Sequence, residues 1–300
     1  MLDLIILGAG PAGITAAVYA ARKRMDLLVI SPDIGGQAAW SSDVGNYTGH
    51  QFITGPDLVA KFEEHMRRYG VEVKEGERAL EIRKSGDIVW LRTDKGAYEA
   101  KTAIIATGKR SKELGVPGES EFKNRGLTYC ATCDGPLFSG KDVAVIGGGN
   151  SALDAALQLI KIAREVYIVN NLPSLLGDPI MRQKVESSDI VTVFNGAQVL
   201  EVLGERMVSG IKIKSQDKEE HLSVQGIFVE IGLMPNSDFA QGLAKNELGE
   251  LEVNNRNETS IPAIFAAGDV TDVPEKQIII AAGEGAKAAL SAFRYLSQHK

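Results

Sequence analysis

A glycine-rich turn between an apolar strand and a helix occurs twice in this 300-residue chain, and it constrains the fold more than any other feature. The first copy spans residues 2–30 and contains Gly8-Ala9-Gly10-Pro11-Ala12-Gly13. The second spans residues 142–169 and contains Gly147-Gly148-Gly149-Asn150-Ser151-Ala152. Each copy reads as strand, turn, helix and strand, which is the pattern of a βαβ unit that binds a dinucleotide. The sequence therefore predicts an α/β fold with two Rossmann-like domains.

Short alternating runs follow each βαβ unit and predict an antiparallel insert in each half. In the first half they lie around 71–73, 79–83, 88–93 and 97–99, and in the second around 191–194, 199–203, 207–214 and 227–231. Gly and Pro mark boundaries at 109–118 and 232–237. We assign the strand at 263–267 and the helix at 277–296 to the first domain. The second domain (114–237) is then inserted into the first (1–113 with 238–300), each in three ββα layers.

The first glycine motif has a physical role for each glycine. Gly8 makes the turn, Gly10 lets a pyrophosphate approach the backbone, and Gly13 packs the helix on the strand. The helix that starts near Pro11 and Ala12 presents its free amides and positive end to the pyrophosphate. The alternative is a tight turn without a ligand. A dinucleotide site of this type usually has an acid at the end of its second strand. Ser31 stands there and Asp33 lies two residues further on, so the ribose contact stays open.

The second glycine loop has Ala152 in the third position, a known variant of the motif. An acid after the second strand would favour NAD, and arginines would favour NADP. Asn170 stands at this point and no arginine follows before Arg182, so NADP is disfavoured. Asn170 is able to hydrogen-bond a ribose hydroxyl, which allows NAD. A duplicated fold whose second site no longer binds a nucleotide remains the alternative.

Cys130 and Cys133 are the only cysteines, and their C-x-x-C spacing predicts redox chemistry. Such a pair lowers the pKa of a thiol, and a disulfide between the two cysteines accepts two electrons. Asp134 follows directly and is placed to exchange a proton. The alternatives are two buried apolar cysteines or half of a metal site. The four histidines show no metal spacing, so we expect no metal site.

Two further apolar strands end in polar residues, at Thr107-Gly108 and at Gly268-Asp269. Ligands bind at this edge of such sheets. Asp269 would suit a chain of sugar-like hydroxyls, and the amides at the start of the helix near Gln277 would polarise an electron-accepting ring. The alternatives are a turn aspartate and an ordinary core helix.

Composition excludes other classes of function. The net charge is −6, so the chain lacks the basic surface that grips nucleic acid. Apolar runs stay well short of the roughly 18 residues that a membrane span needs, and Met1-Leu2-Asp3 shows no charged leader. We therefore expect a cytoplasmic protein that binds neither nucleic acid nor membranes.

The motifs GAGPAG, CATCD, GGGNSA and FAAGDV, in this order, resemble those of the low-molecular-weight thioredoxin reductases. The segments GIFVEIGLMPN and KQIIIAAGEGAKAALSAFRYL are similar to the flavoprotein subunit of alkyl hydroperoxide reductase. We expect no counterpart here of the thioredoxin-like domains that precede it in that relative. The resemblance implies FAD in the first domain, held by Gly8, Gly10, Pro11, Ala12, Gly13, Ser31, Gly36, Gln37, Asn46, Thr107, Gly108, Asp269, Lys276, Gln277 and Ile278. It implies a nicotinamide dinucleotide at Gly147, Gly149, Asn150, Ser151, Ala152 and Asn170.

The resemblance also implies the roles of the redox residues. Cys133 would lie next to the flavin, Cys130 would attack the disulfide of a partner, and Asp134 would be the acid-base group. The expected function is a homodimeric, FAD-dependent disulfide reductase that serves a thioredoxin or glutaredoxin-like dithiol protein.

The sequence departs from this resemblance at the donor site. The family's His-Arg-Arg stretch is replaced by Asn170-Asn171-Leu172, and its further arginine by Leu176. NADH is therefore favoured over NADPH. One alternative is the same reductase fed by ferredoxin or another non-nicotinamide donor. The alternative from another class is a non-catalytic, flavin-binding redox sensor.

Overall fold

The structure, a computed structural model, describes residues 1–40, 44–216 and 218–299, and the side chains of Trp40 and Cys133 lie outside this description. Within these ranges, no helix combines the length and apolar character that a membrane-spanning segment requires. The strands are β1 (Leu2–Ala9), β2 (Leu27–Ile34), β3 (Glu72–Glu75), β4 (Ala79–Ser85), β5 (Ile88–Thr93), β6 (Ala97–Ile105), β7 (Lys109–Ser111), β8 (Leu127–Thr128), β9 (Asp142–Ile146), β10 (Glu165–Asn170), β11 (Val191–Asn195), β12 (Gln198–Gly204), β13 (Val208–Ser215), β14 (Lys218–Leu222), β15 (Gly226–Val229), β16 (Leu233–Pro235) and β17 (Ile264–Ala266). The helices are α1 (Pro11–Arg22), α2 (Gly55–Arg67), α3 (Glu119–Phe122), α4 (Ala131–Asp134), α5 (Asn150–Leu159), α6 (Pro179–Glu186) and α7 (Ile278–Gln298).

The chain folds as two units. Unit 1 comprises Met1–Arg110 and Met234–Lys300, and unit 2 comprises Ser111–Leu233. The sequence places the crossings after residues 113 and 237, close to the glycines and prolines. In the structure both crossings fall earlier, at the short strands β7 and β16.

Unit 1 is built on one mixed sheet in the order β3-β2-β1-β6-β5-β4, with β17 beside β6. Strands β3, β2, β1, β6 and β17 pair in parallel, whereas β4, β5 and the first half of β6 form an antiparallel meander. The prediction that the run at 71–73 belongs to the antiparallel insert is therefore wrong. It corresponds to β3, which extends the parallel sheet, because its residues Glu72–Glu75 pair with β2.

Unit 2 contains a parallel sheet in the order β11-β10-β9-β15-β8 and an antiparallel sheet in the order β12-β13-β14. The runs at 191–194 and 227–231 are also wrongly placed in the insert by the sequence analysis. Strand β11 pairs in parallel with β10, and β15 pairs in parallel with β9. Strand β14 was not predicted, since its sequence Lys-Glu-Glu-His-Leu is mostly charged and exposed.

Close packing of α1 against α7 brings the start of α7 to the carboxyl edge of the unit 1 sheet. The contact is lined by alanines from both helices, including Ala16, Ala17 and Ala288, which are fully buried. A β-carbon at Gly285 of α7 would lie only 2.0 Å from the carbonyl oxygen of Ala12. Small side chains are therefore required for the two helices to approach this closely.

Candidate active site

A cavity of about 900 Å³ opens at the carboxyl edge of the unit 1 sheet. It lies where β1, β2 and β6 end and where α1 and α7 begin. Such a position is typical of a ligand site in an open α/β sheet. Thirteen residues of the predicted FAD set line it: Gly8, Gly10, Pro11, Ala12, Ser31, Gly36, Gln37, Thr107, Gly108, Asp269, Lys276, Gln277 and Ile278.

The first glycine loop shapes one wall of this cavity. Gly10 precedes α1 without a side-chain cap, so the first amides of the helix are left for a ligand. A β-carbon at Gly10 would meet its nearest described neighbour, the Gly35 carbonyl oxygen, at 3.9 Å, so the loop is open on this side. Gly13 does not line the cavity; its β-carbon would lie 1.9 Å from the carbonyl oxygen of Gly8. The loop therefore fits a dinucleotide diphosphate, with Gly13 allowing the helix to pack on the strand.

The end of β2 is fixed by Ser31 rather than by an acid. The buried Ser31 hydroxyl accepts a hydrogen bond from the Ala9 amide at 3.0 Å and donates one to the Asp33 carbonyl oxygen at 2.6 Å. The Asp33 carboxylate accepts the Gly36 amide at 3.1 Å and also lines the cavity. Ser31 thus holds the loop in place, while Asp33 is the acid on this side of the cavity.

Other members of the predicted FAD set make hydrogen bonds at the rim of the cavity. The Gln37 amide donates to the Lys109 carbonyl oxygen at 2.8 Å, and the Thr107 hydroxyl donates to the Asn236 carbonyl oxygen at 2.7 Å. Asn46 does not line the cavity. Its side-chain amide instead donates to Gln277 at 2.9 Å, so Asn46 orients a residue that does.

Asp269 brings a carboxyl group into the cavity at the end of the segment that follows β17. It is partly buried, and burial raises its pKa, although the charges of Lys276 and Lys109 oppose that shift. A buried carboxyl group is stabilised by hydrogen-bond donors. Hydroxyls of a polyol chain would supply such donors, in agreement with the role that the sequence analysis expects for Asp269.

Five polar residues of this cavity were not predicted from the sequence, namely Arg78, Lys109, Arg110, Asn236 and Asp238. Lys109 and Lys276 both bind the buried Glu250, at 2.7 and 3.1 Å. Arg110 binds Asp238 at 2.8 Å. These partners are far apart in the sequence and belong to no motif, so no sequence signal could have grouped them.

Glu250 should make unit 1 sensitive to acid. Burial raises its pKa, but hydrogen bonds from Lys109, Asn246 and Lys276 outweigh this effect and bring the pKa to about 2. Because the folded pKa lies below the ordinary value of 4.5, the stabilisation is present above pH 4.5 and is lost as the pH falls towards 2. We expect Glu250→Gln to lower the apparent free energy of unfolding at pH 7 by about 3 kcal/mol.

Urea unfolding at pH 7, 5 and 3 checks this prediction. The difference between wild type and Glu250→Gln should be nearly the same at pH 7 and pH 5, and it should shrink clearly at pH 3. The exposed Glu247 supplies the control, since Glu247→Gln should leave unfolding unchanged throughout. A Glu250→Gln effect that stays constant with pH would show that the ion pairs are not its source.

In unit 2, the redox segment (Cys130–Asp134) follows the end of β8. The Thr128 hydroxyl donates to the Asp134 carboxylate and accepts the Cys130 amide at 3.2 Å. Cys130 is disulfide-bonded in the structure. The predicted role of Cys133 concerns a side chain that lies outside the described part of the structure. Thr128 therefore connects Cys130 to Asp134, the expected acid-base group.

The second glycine loop lies at the carboxyl end of β9 in the same unit. Gly149 precedes α5 without a side-chain cap, and no atom of the described residues comes within 4 Å of a β-carbon placed there. A β-carbon at Gly147 would lie 2.2 Å from the Glu230 carbonyl oxygen and 3.2 Å from Ala152, so small residues are required at both positions. The loop is thus as open to an anion as the first one.

The remaining residues predicted for the second dinucleotide site are Asn150, Ser151 and Asn170. The Asn150 side chain accepts the Asp178 amide at 2.7 Å, and Ser151 is exposed at the start of α5. Asn170 is only 1% exposed, and its amide nitrogen donates to Asn195 at 2.9 Å and to the Leu172 carbonyl oxygen at 3.2 Å. Its oxygen accepts the Leu172 amide. The polar atoms of Asn170 are therefore engaged within the protein.

In the described part of the chain, no three His, Cys, Asp or Glu residues gather closely enough to hold an ion.

Residues 2–285 match the family described as pyridine nucleotide-disulphide oxidoreductase. The chain belongs to this family. The alkyl hydroperoxide reductase F subunit of Pseudomonas putida is 44% identical over 301 residues, and an NADH dehydrogenase of Ferdinandcohnia aciditolerans is 43% identical over 298. Each alignment covers 98% of this chain but only 58% and 57%, respectively, of the relative, so the chain spans a little over half the length of these relatives.

The solved structure of Lactococcus lactis thioredoxin reductase in its FR conformation resembles the chain with a TM-score of 0.87 at 33% identity, covering 99% of this chain and all of that one. The resemblance to low-molecular-weight thioredoxin reductases and the two Rossmann-like domains are confirmed. Membership of the family places the chain among the pyridine nucleotide-disulphide oxidoreductases.

Proposed function

We propose that the protein is a flavin-dependent protein-disulfide reductase that passes electrons from NADH, through FAD and the Cys130–Cys133 pair, to a thioredoxin or glutaredoxin-like dithiol protein. The observation that carries this proposal is that unit 2 contains both a glycine loop of the dinucleotide-binding type and a disulfide. An open glycine loop at Gly147–Gly149 and a disulfide at Cys130 occur on one sheet, while unit 1 supplies the flavin-sized cavity.

The unit 1 cavity is suited to FAD because its polar groups match the parts of that cofactor. The amides after Gly10 and the start of α1 would bind the diphosphate, and Asp269 would bind hydroxyls of the ribityl chain. Lys276, Gln277 and Ile278 would lie beside the electron-accepting ring at the beginning of α7. When bound, the flavin supplies the means to accept two electrons from a dinucleotide and deliver them to a disulfide.

The residues of unit 2 would carry the thiol chemistry. Two electrons break the bond between Cys130 and Cys133, and two protons complete the thiols. In the next step the Cys130 thiolate attacks the partner's disulfide, Cys133 resolves the mixed disulfide, and the partner leaves as a dithiol. Asp134, held by the Thr128 hydroxyl, is positioned to take and return the proton.

The choice of NADH rests on the segment after β10. No arginine lies between Asn170 and Arg182, so the 2′-phosphate of NADPH would find no cation on this segment. The name of one relative, an NADH dehydrogenase, also supports NADH, and the likeness to a thioredoxin reductase structure supports a thioredoxin-like partner. The homodimer and the cytoplasmic location expected from the sequence remain part of this proposal.

Steady-state kinetics test the proposal. With a bacterial thioredoxin or glutaredoxin as acceptor, thiol production should proceed with NADH at a kcat/KM at least about tenfold above that with NADPH, equivalent to ~1.4 kcal/mol of discrimination. If the protein turned over with reduced ferredoxin and with neither dinucleotide, ferredoxin would take the place of NADH as the proposed donor. One stoichiometric oxidation without turnover would instead indicate a redox sensor.

A further inference from the structure

Glu119 is a buried acid of unit 2 that the mechanism above does not use. It begins α3 and is only 5% exposed. Its carboxylate accepts the amides of Leu114 at 2.6 Å and Gly115 at 2.7 Å, and the Tyr129 hydroxyl at 2.8 Å. A buried carboxylate that accepts three hydrogen bonds is held firmly in one orientation. Glu119 therefore connects the loop before α3 to Tyr129.

The loop before α3 is itself fixed to the rest of unit 2. The Pro117 carbonyl oxygen accepts the amide of Val202, a residue of β12, at 3.0 Å. Gly118 has a φ of 83°, and a β-carbon placed there would lie 2.2 Å from the Val202 carbonyl oxygen. The loop therefore packs directly on β12, and the Glu119 carboxylate is attached to a rigid support.

Tyr129 is the residue directly before Cys130 of the redox segment. Pairing between β8 and β15 ends at Thr128, so Tyr129 lies just beyond the sheet. Its ring is partly buried, and the Lys123 ammonium group lies 4.8 Å from the ring centroid. Burial, together with the hydrogen bond to Glu119, raises the pKa of Tyr129, so the hydroxyl keeps the proton that it donates. The contact with Glu119 therefore fixes the main chain where it enters the redox segment.

We propose that Glu119 and Tyr129 are positioning residues of the redox centre, whose hydrogen bond holds the chain beside Cys130 and so favours the disulfide over the dithiol. The inference rests on the proposed function, in which this disulfide is the redox centre. A disulfide forms only when its two sulfur atoms are held close together. A restraint next to one thiol raises its effective concentration near the other. Losing the restraint should therefore make the disulfide easier to reduce.

Equilibration of the flavin-containing protein with dithiothreitol tests the inference without an electron donor or a partner protein. Dithiothreitol gives two electrons and two protons to the protein, so that its own S–S bond forms, the Cys130–Cys133 bond breaks and two thiols result. Anaerobic mixtures of reduced and oxidised dithiothreitol are quenched in acid and alkylated with iodoacetamide. The protein mass then reports the fraction of dithiol at each ratio.

Tyr129→Phe removes only the hydroxyl. We expect this variant to be half reduced at a ratio of reduced to oxidised dithiothreitol about tenfold lower than wild type, equivalent to ~30 mV. Glu119→Gln should shift the midpoint in the same direction. Adding Tyr129→Phe to Glu119→Gln should then produce no further shift, because both substitutions remove the same hydrogen bond.

Tyr167 is also partly buried in unit 2 and provides the matched control, since Tyr167→Phe should keep the wild-type midpoint. A purely structural role of Glu119 would lower the stability of the disulfide and dithiol forms alike and leave the midpoint unmoved. An unmoved midpoint in Tyr129→Phe or in Glu119→Gln, a shift towards harder reduction, or additive shifts in the double variant would overturn the inference.

The outcome is also distinct from that of the proposed function, because the equilibrium involves neither NADH nor a redoxin. An unmoved midpoint in an enzyme that turns over contradicts this inference alone. A midpoint that moves as expected in a protein without turnover supports the inference and contradicts the proposed function alone.

Discussion

Cys133→Ser should abolish disulfide turnover while the flavin is still bound and still reduced by NADH. The variant keeps the glycine loops and the cavity, but it removes the thiol that has to resolve the mixed disulfide with the partner. Loss of a covalent catalytic group of this kind lowers turnover by about a thousandfold or more. Thiol production from thioredoxin and anaerobic bleaching of the flavin, measured on the same preparation, separate the two half-reactions.

The companion variant Cys130→Ser should give the same loss of turnover and the same retention of flavin reduction. Ser209→Ala, at an exposed position in β13 of the same unit, serves as a control that should change neither half-reaction. Full disulfide turnover in Cys133→Ser would remove the cysteine pair from the mechanism and leave a flavoprotein with another electron acceptor.

Replacing one glycine of each loop with valine should show which cofactor each loop binds. Gly10 and Gly149 have negative φ, and neither has described atoms in close contact at the β-carbon position, so a side chain fits without strain. In Gly10→Val the side chain occupies the space of the diphosphate. We expect the flavin content of the purified protein to fall about tenfold or more, since losing ~1.4 kcal/mol already weakens binding tenfold.

Gly149→Val is the reciprocal control. It should keep a full complement of flavin, which dithionite still reduces, while reduction by NADH slows by about a hundredfold, or ~2.7 kcal/mol. Flavin absorbance and stopped-flow bleaching measure the two effects. Normal NADH reduction in Gly149→Val would show that the loop at Gly147–Gly149 does not hold the donor.

The parts of the fold that the sequence predicts are those in which a residue type is sterically required. A β-carbon at Gly8 would lie 2.3 Å from the Ala106 carbonyl oxygen, and one at Gly13 would be closer still to Gly8. No other residue satisfies these positions, so the glycine spacing indicates the βαβ units directly. The cavity-lining residues at the ends of β1, β6 and β17 follow from the same topology.

The direction in which neighbouring strands pair could not be predicted from residue type in this way. The short run that became β3 has the alternation of an antiparallel strand, yet it pairs in parallel with β2. Strand β15 is buried throughout, which is typical of a central parallel strand, but at four residues it is too short for its pattern to decide. Periodicity reports which face of a strand is buried, not the direction of its neighbour.

Polar contacts between residues that are distant in the sequence could not be predicted from the sequence either. The ion pair between Lys109 and Glu250 joins residues 141 positions apart. Asn170 stands where a ribose-binding acid is expected, but only the structure shows that its amide is engaged by Asn195 and Leu172.

Anaerobic titration of the flavin-containing protein with NADH, and separately with NADPH, tests the central claim most directly. We expect rapid bleaching of the flavin band by NADH and much slower bleaching by NADPH, because no arginine lies between Asn170 and Arg182 to bind a 2′-phosphate. A flavin that dithionite reduces but neither dinucleotide bleaches would contradict the account, and would direct the search for a donor to ferredoxin or a free reduced flavin.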